Sequence, residues 1–297
     1  MKVLVMWSGG KDSQACLIHS IKKYGKQHVR AVFCDTGWEH QETLHHVERI
    51  ASELDVELVT LRGELDFEQL VVKNKLFPSF MRRYCTHELK VKPFVDYLLT
   101  QDDSFIVVQG IRGAESPQRA KYEAESDYFK PWDLGKARYR KNDVLAYAKT
   151  HDVSISRPIF KWSAQEVVDY ILDSGLPINP LYKKGMSRVG CYPCVFANKS
   201  DLKQMAKDKQ YVKRLIDLED KVNAVRAKVY GDKYANTATF FSKGRIPKHL
   251  CITNENGAPT AREVFDYFTL SDCTIGLFED AEEAPLSCMS VYHGLCE

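Results

Sequence analysis

Four short apolar runs within the first 110 residues constrain the fold of this 297-residue chain more than any other feature. "KVLVMW" (2–7), "VRAVFCD" (29–35), "VELVTL" (56–61) and "SFIVVQG" (104–110) are rich in β-branched side chains and too short for buried helices, so they read as strands. The segments 13–24 and 39–54 between them carry apolar residues at helical spacing. Strands alternating with helices imply a parallel sheet, because only parallel neighbours need a crossover long enough to hold a helix. The expected fold class is therefore α/β, a Rossmann-like parallel sheet covered by helices on both faces, with ligands at the carboxyl ends of the strands. That rule gathers the loops 8–13, 35–39 and 110–119 on one rim.

The first of these loops, Ser8-Gly9-Gly10-Lys11-Asp12-Ser13, joins the first strand to the first helix. Adjacent glycines let successive N–H groups point into one concavity, Lys11 adds a cation, and the helix N-terminus adds its dipole; such a loop suits phosphate. The plain alternative is a tight turn in which Asp12 or Ser13 caps the helix. The common phosphate loop is excluded, since it needs four residues between its glycines. On the 110–119 loop, Arg112 and Arg119 bracket Glu115 and Ser116, and two guanidiniums there can clamp phosphate, sulfate or a nucleic-acid backbone, unless one of them pairs with Glu115. Asp35 and Glu39 suit Mg²⁺ on a triphosphate or a ribose, or else a cap for the following helix.

Composition narrows the setting. At 44% hydrophobic residues the chain can bury a core, and no apolar run reaches the 18 residues of a membrane span. "MKVLVMW" reads as a strand rather than a cleavable signal, so the expected location is cytoplasmic, and nine cysteines then suit core packing, metal binding or redox chemistry better than a disulfide framework. Net charge is +2, but residues 271–297 hold six acids and no Lys or Arg. The body is correspondingly basic, which favours anionic substrates or nucleic acid, while the acidic tail folds back over it or serves solubility. Residues 199–233 carry ten Lys/Arg against six Asp/Glu in one or two expected helices, a candidate nucleic-acid surface or simply a solvated face.

The Ser8–Ser13 loop is similar to the pyrophosphate loop of the adenine nucleotide alpha-hydrolase-like superfamily. "CDTGWEHQET" (34–43), "RRYCTHELKVKPF" (82–94), "GIRGAESPQRA" (110–120) and "RPIFKWSAQEVVDYILDSGLPINPLYKKGMSRVGCYPC" (157–194) extend the resemblance to the phosphoadenosine phosphosulfate (PAPS) reductase family. The resemblance implies a nucleotide-binding domain over 1–197 and a helical extension with an acidic tail over 198–297. It implies ATP, PAPS or adenosine phosphosulfate (APS) as nucleotide, with Mg²⁺. The implied nucleotide contacts are Ser8, Gly9, Gly10, Lys11, Asp12, Ser13, Asp35, Thr36, Gly37, Gly110, Arg112 and Ser116, and the implied catalytic set is Lys11, Asp12, Arg112 and Arg119.

Cys191-Tyr192-Pro193-Cys194 has the spacing that lets two thiolates reach one metal. Iron–sulfur members of the resembled family add a cysteine pair in the segment of Cys85; here Tyr84 replaces one of that pair. The resemblance therefore implies a [4Fe–4S] cluster held by Cys85, Cys191 and Cys194, with Cys251 or Cys273 as further candidates. Zinc on the same three cysteines and His87, or thiols without metal, are the alternatives. Three functional readings follow. One is sulfur transfer, in which ATP adenylates a nucleic acid or small molecule, with a sulfur donor protein as possible partner. Another is APS/PAPS reduction to sulfite, supplied by an electron donor protein. The last is a noncatalytic nucleotide-binding regulatory module. The reductase of that family carries Glu-Cys-Gly-Leu-His near its end, whereas this chain reads "YHGLCE" (292–297), with His293 and Cys296 in other places and Glu297 beside the thiol.

Overall fold

The computed structural model describes residues 2–254 and 256–273. Cys296, His293, the side chain of Cys273 and nearly all of the acidic tail lie outside them. The N-terminal half alternates as expected: β1 (Lys2–Met6), α1 (Lys11–Tyr24), β2 (Val29–Asp35), α2 (Gln41–Glu53), β3 (Glu57–Arg62) and α3 (Phe67–Asn74). A single turn α4 (Tyr84–Thr86) runs through a π-helical stretch, His87–Val91, into α5 (Lys92–Leu99). The stretch has a local cause: Pro93 has no N–H to offer, and the Lys92 N–H reaches back five residues to the carbonyl of His87. Then come β4 (Phe105–Val108), β5 (Glu125–Asp127), α6 (Lys130–Asp133), α7 (Lys141–Tyr147), β6 (Val153–Ser156), α8 (Ala164–Asp173) and α9 (Pro180–Lys183). The chain continues through α10 (Lys199–Met205), α11 (Lys209–Tyr230) and α12 (Ala261–Cys273).

The six strands form one sheet in the order β3-β2-β1-β4-β6-β5, parallel except for β5. The period of two along β1 sorts its side chains between two cores. Val3 and Val5 pack with Leu17 and Ile18 of α1, Ile50 of α2 and Val167 of α8. Leu4 and Met6 pack with Phe94 and Leu98 of α5 and Val144 of α7 on the opposite face. Both faces are covered, so each large apolar side chain leaves water, worth about 1.5–3 kcal/mol apiece. A third apolar cluster joins α3 (Phe67, Leu70, Val71) and Trp38 to α10, α11 and α12 (Leu202, Leu218, Phe265), so one core runs across residue 197.

The order reverses at β1, whose neighbours are β2 on one side and β4 on the other. The crevice outside the ends of β1 and β4 is the switch point where doubly wound sheets take ligands. The loops 7–10 and 109–112 leave these two strands.

Candidate active site

Gly9 has φ +83°, and a Cβ on it would stand 2.7 Å from Cγ2 of Thr43, so the turn after β1 requires glycine. Gly10 is the N-cap of α1 without a side-chain cap. Asp12 and Ser13 are not caps, as the turn reading had it; they lie inside the helix. The loop's hydroxyls close on one another, with Oγ of Ser8 3.0 Å from Oγ of Ser13, which donates to the carbonyl of Gly10 at 3.0 Å. The Lys11 N–H donates to the phenol oxygen of Tyr182 at 3.1 Å. Gly110, leaving β4, lies so close that a Cβ there would come within 2.6 Å of the Ser13 nitrogen. Backbone from β4 therefore forms one wall of the α1 N-terminus, and any larger residue at 110 would fill it.

Charges alternate along the rim. Nζ of Lys11 lies 2.7 Å from one oxygen of Asp12, and Nε of Arg112 lies 2.6 Å from the other. Glu115 pairs with Arg119 and stands 3.8 Å from Nη2 of Arg112. Asp12, Arg112 and Arg119 are all buried. Arg119 thus makes the ion pair with Glu115 that the sequence left open. Ser116 lies at the same turn, where its Oγ accepts the Arg119 N–H at 3.2 Å.

On the neighbouring loop, Asp35 accepts from the Gly37 N–H at 2.9 Å and pairs with Arg62 at 2.7 Å. Gly37 takes φ +69°. Glu39 is buried, and its two oxygens accept from the Thr36 hydroxyl (2.6 Å), the Thr36 N–H (3.1 Å) and the Trp38 N–H (3.2 Å). Burial, with Asp35 adding to it, raises the Glu39 pKa above the ordinary value, while Thr36 and Lys90 pull it down. Neither acid caps the next helix. His40 does so, its Nδ1 accepting from the Glu42 N–H at 3.0 Å. Between the ends of β1 and β2 a small cleft has Met6, Val32 and Cys34 on its apolar side and Ser8, Glu39 and Lys90 on its polar side.

The expected metal ligands do not gather. Among the described residues, no group of three or more His, Cys, Asp or Glu side chains is placed to hold a metal ion. Cys85, on α4, and Cys191 both pack against the apolar cluster of α3 and the C-terminal helices. Cys191 forms an isolated antiparallel bridge with Glu39, the Tyr192 N–H donates to the Trp38 carbonyl at 2.8 Å, and Nε1 of Trp38 donates to the Pro193 carbonyl at 2.9 Å. These bonds fix the Cys191–Cys194 loop on the 36–39 loop. His87 faces Glu88 at 3.1 Å and Tyr84 donates to the carbonyl of Leu76. The described residues thus show no assembled metal centre, and no step below runs through one.

Three contributors escaped the sequence reading. Asn179, fully buried, donates from Nδ2 to the Gly9 carbonyl at 3.1 Å and to Thr43 at 3.2 Å, tying the loop to the segment before α9. Tyr182 meets the helix N-terminus, and Lys90 lines the cleft. All three lie in stretches that carried the resemblance, but no spacing rule marks them.

Fold and site together define a doubly wound α/β protein with a glycine loop, a helix N-terminus and basic side chains meeting at the switch point. The family profile of the phosphoadenosine phosphosulfate reductase domain matches residues 2–197, and the chain belongs to this family. An uncharacterised protein of Methanocaldococcus jannaschii is 35% identical over 65% of this chain and 36% of its own length. An uncharacterised 37.8 kDa protein of Escherichia phage 186 is 26% identical over 99% of this chain and 96% of its own. The adenosine 5′-phosphosulfate reductase of Streptomyces coelicolor is 30% identical over 56% of this chain and 61% of its own. The alignments thus span little more than a third of the first relative and about three fifths of the reductase. Among the described residues no helix is long and apolar enough to cross a membrane.

Proposed function

We propose that the protein is an enzyme that binds ATP at the switch point, adenylates a substrate and supports sulfur transfer to it, releasing pyrophosphate. The observation that carries the reading is the Lys11–Asp12–Arg112 chain across the crevice between the ends of β1 and β4. A polyphosphate on the Ser8–Ser13 loop meets Lys11 and the α1 N-terminus, where an anion is favoured. Attack by a substrate oxygen on the α-phosphorus breaks its bond to the β-phosphate, and the charge growing on pyrophosphate falls to Lys11 and the loop N–H groups. A sulfide equivalent then displaces AMP from the activated carbon.

APS or PAPS reduction is the second reading. It is favoured by the name of the Streptomyces relative; residues 292–297, Tyr-His-Gly-Leu-Cys-Glu, carry similar letters to the family's Glu-Cys-Gly-Leu-His in another order. The cytoplasmic location, the Mg²⁺ requirement, the nucleic-acid surface of 199–233, a [4Fe–4S] or zinc site on Cys85, Cys191 and Cys194, and a division at 197/198 that follows the limit of the family match, with one apolar cluster crossing it, belong to the proposal as well. Anaerobically purified protein, incubated separately with ATP and with APS or PAPS plus a thiol reductant, tests the two. Pyrophosphate from ATP supports adenylation, sulfite assigns the reductase, and a protein that forms no sulfite and binds no ATP overturns both. Iron and zinc analysis of the same sample decides the metal.

A further inference from the structure

Arg157 follows directly on β6 and is 2% exposed. Its strand is the parallel neighbour of β4, with Ser156 opposite Val108, the Gln109 N–H on the Ser156 carbonyl at 3.0 Å and the Gly113 N–H on the Phe160 carbonyl at 2.8 Å. Arg157 therefore occupies the carboxyl rim beside the loop that carries Arg112. The 112–124 loop then folds back onto it. The Arg157 N–H donates to the Ala124 carbonyl at 2.8 Å, Nη1 donates to the Glu123 carbonyl, and the guanidinium stands 5.2 Å from the Tyr122 ring centre.

Among the described residues, Nε and Nη2 of Arg157 are buried and meet no hydrogen-bond acceptor. Glu123, whose charge acts on Arg157, has its own carboxylate 3.9 Å from Lys130 instead. A buried cation with two unmade hydrogen bonds is unfavourable, and burial lowers the Arg157 pKa to about 10. The two orphaned donors are not arbitrary. Nε–H and the adjacent Nη2–H form one edge of the planar guanidinium, the edge that takes two oxygens of a single carboxylate, phosphate or sulfate side-on. The 112–124 loop carries Arg112, Arg119 and Lys121 against Glu115 and Glu123, and this small excess of positive charge favours an oxyanion there.

We propose that Arg157 forms an oxyanion subsite beneath the 112–124 loop, which takes a phosphate or sulfate group of the substrate other than the one on the Ser8–Ser13 loop. The assignment of that group to the substrate rests on the nucleotide reading above; the oxyanion subsite itself does not.

The test is calorimetric titration of inorganic sulfate, inorganic phosphate, ATP, APS and PAPS into the whole protein and into Arg157→Gln and Arg157→Lys. Lysine keeps the charge but lacks the two-donor edge, so both variants should lose tenfold or more in affinity for sulfate or phosphate and for at least one of the three nucleotides, with melting temperature monitored throughout. Folded Arg157→Lys with unchanged affinity for all five probes overturns the subsite. Loss confined to the free anions, with every nucleotide unaffected, overturns the assignment to the substrate. Lys11→Ala, run in parallel, separates the two readings: unchanged ATP affinity there removes the nucleotide loop and leaves the Arg157 measurement standing.

Discussion

Asp12 serves two cations at once, and both oxygens of its buried carboxylate are committed, one to Lys11 and one to Arg112. Removing Arg112 strands a buried carboxylate beside a single lysine, and breaking such a pair from one side costs about 3 kcal/mol or more. Arg112→Ala is therefore expected to lower both the urea midpoint and turnover, where an exposed substrate-gripping arginine would lower turnover alone. Arg119 tests the neighbouring pair. In a double-mutant cycle with Glu115→Gln, Arg119→Ala should show a coupling energy on the order of 1–3 kcal/mol. A coupling within experimental error of zero would release Arg119 from its structural partner and return it to the substrate. The sequence marked these charges by type and placed them on the rim, but spacing alone does not distinguish an arginine aimed at a ligand from one held by the acid three or four residues away.

At the scale of elements, two buried side chains fasten segments that are distant in sequence. Asn179 joins the turn after β1 to α2 and to the start of α9, and Asn179→Leu leaves the Gly9 carbonyl and the Thr43 hydroxyl without this donor. The expected result is a loss of about 1–3 kcal/mol in unfolding free energy together with weaker ATP binding; destabilisation with unchanged ATP affinity would make the tie purely structural. Glu219 of α11 accepts the N–H groups of Phe240 (2.7 Å) and Ala261 (2.6 Å), capping α12 from a neighbouring helix. Burial raises its pKa from 4.5 to about 7. The folded protein then binds the extra proton between these values, so this contribution to stability is full below pH 4.5 and is lost as pH rises through 7, by about 3 kcal/mol. Glu219→Gln removes the titration, and the melting temperature of wild type minus that of the variant should fall between pH 5 and 8. A difference that stays flat over this range would show that Glu219 does not titrate there. β1 to β4, α1 and α2 were legible because each combines a clear period with a strong boundary. β5, of three residues, is too short for a period to register; β6 is as long as β4 but reads VSIS where β4 reads FIVV, so no apolar run marks it, and α12 follows an irregular stretch with no apolar pattern leading into it.

At the scale of the whole molecule, the strand–helix alternation was enough to predict a parallel sheet, and the loop after β1 was enough to locate its binding end. The order of strands was not legible, because it depends on which crossovers run to which side of β1. That order places the ends of β1 and β4 side by side and brings the Gly110 backbone against Ser13. The metal site was read from the Cys191–Cys194 spacing and, for Cys85, from the family resemblance; spacing fixes how far apart two thiolates can be but not whether a third segment arrives beside them, and the described residues form no such group. The central claim is that this switch point takes the phosphates of an adenine nucleotide on the Ser8–Ser13 loop. Calorimetric titration of ATP into wild type and Lys11→Ala tests it most directly. Saturable one-to-one binding by the wild type, weakened by roughly 1–3 kcal/mol in a folded Lys11→Ala, is the predicted result. Equal affinity of the two proteins, or no binding by the wild type, would contradict it.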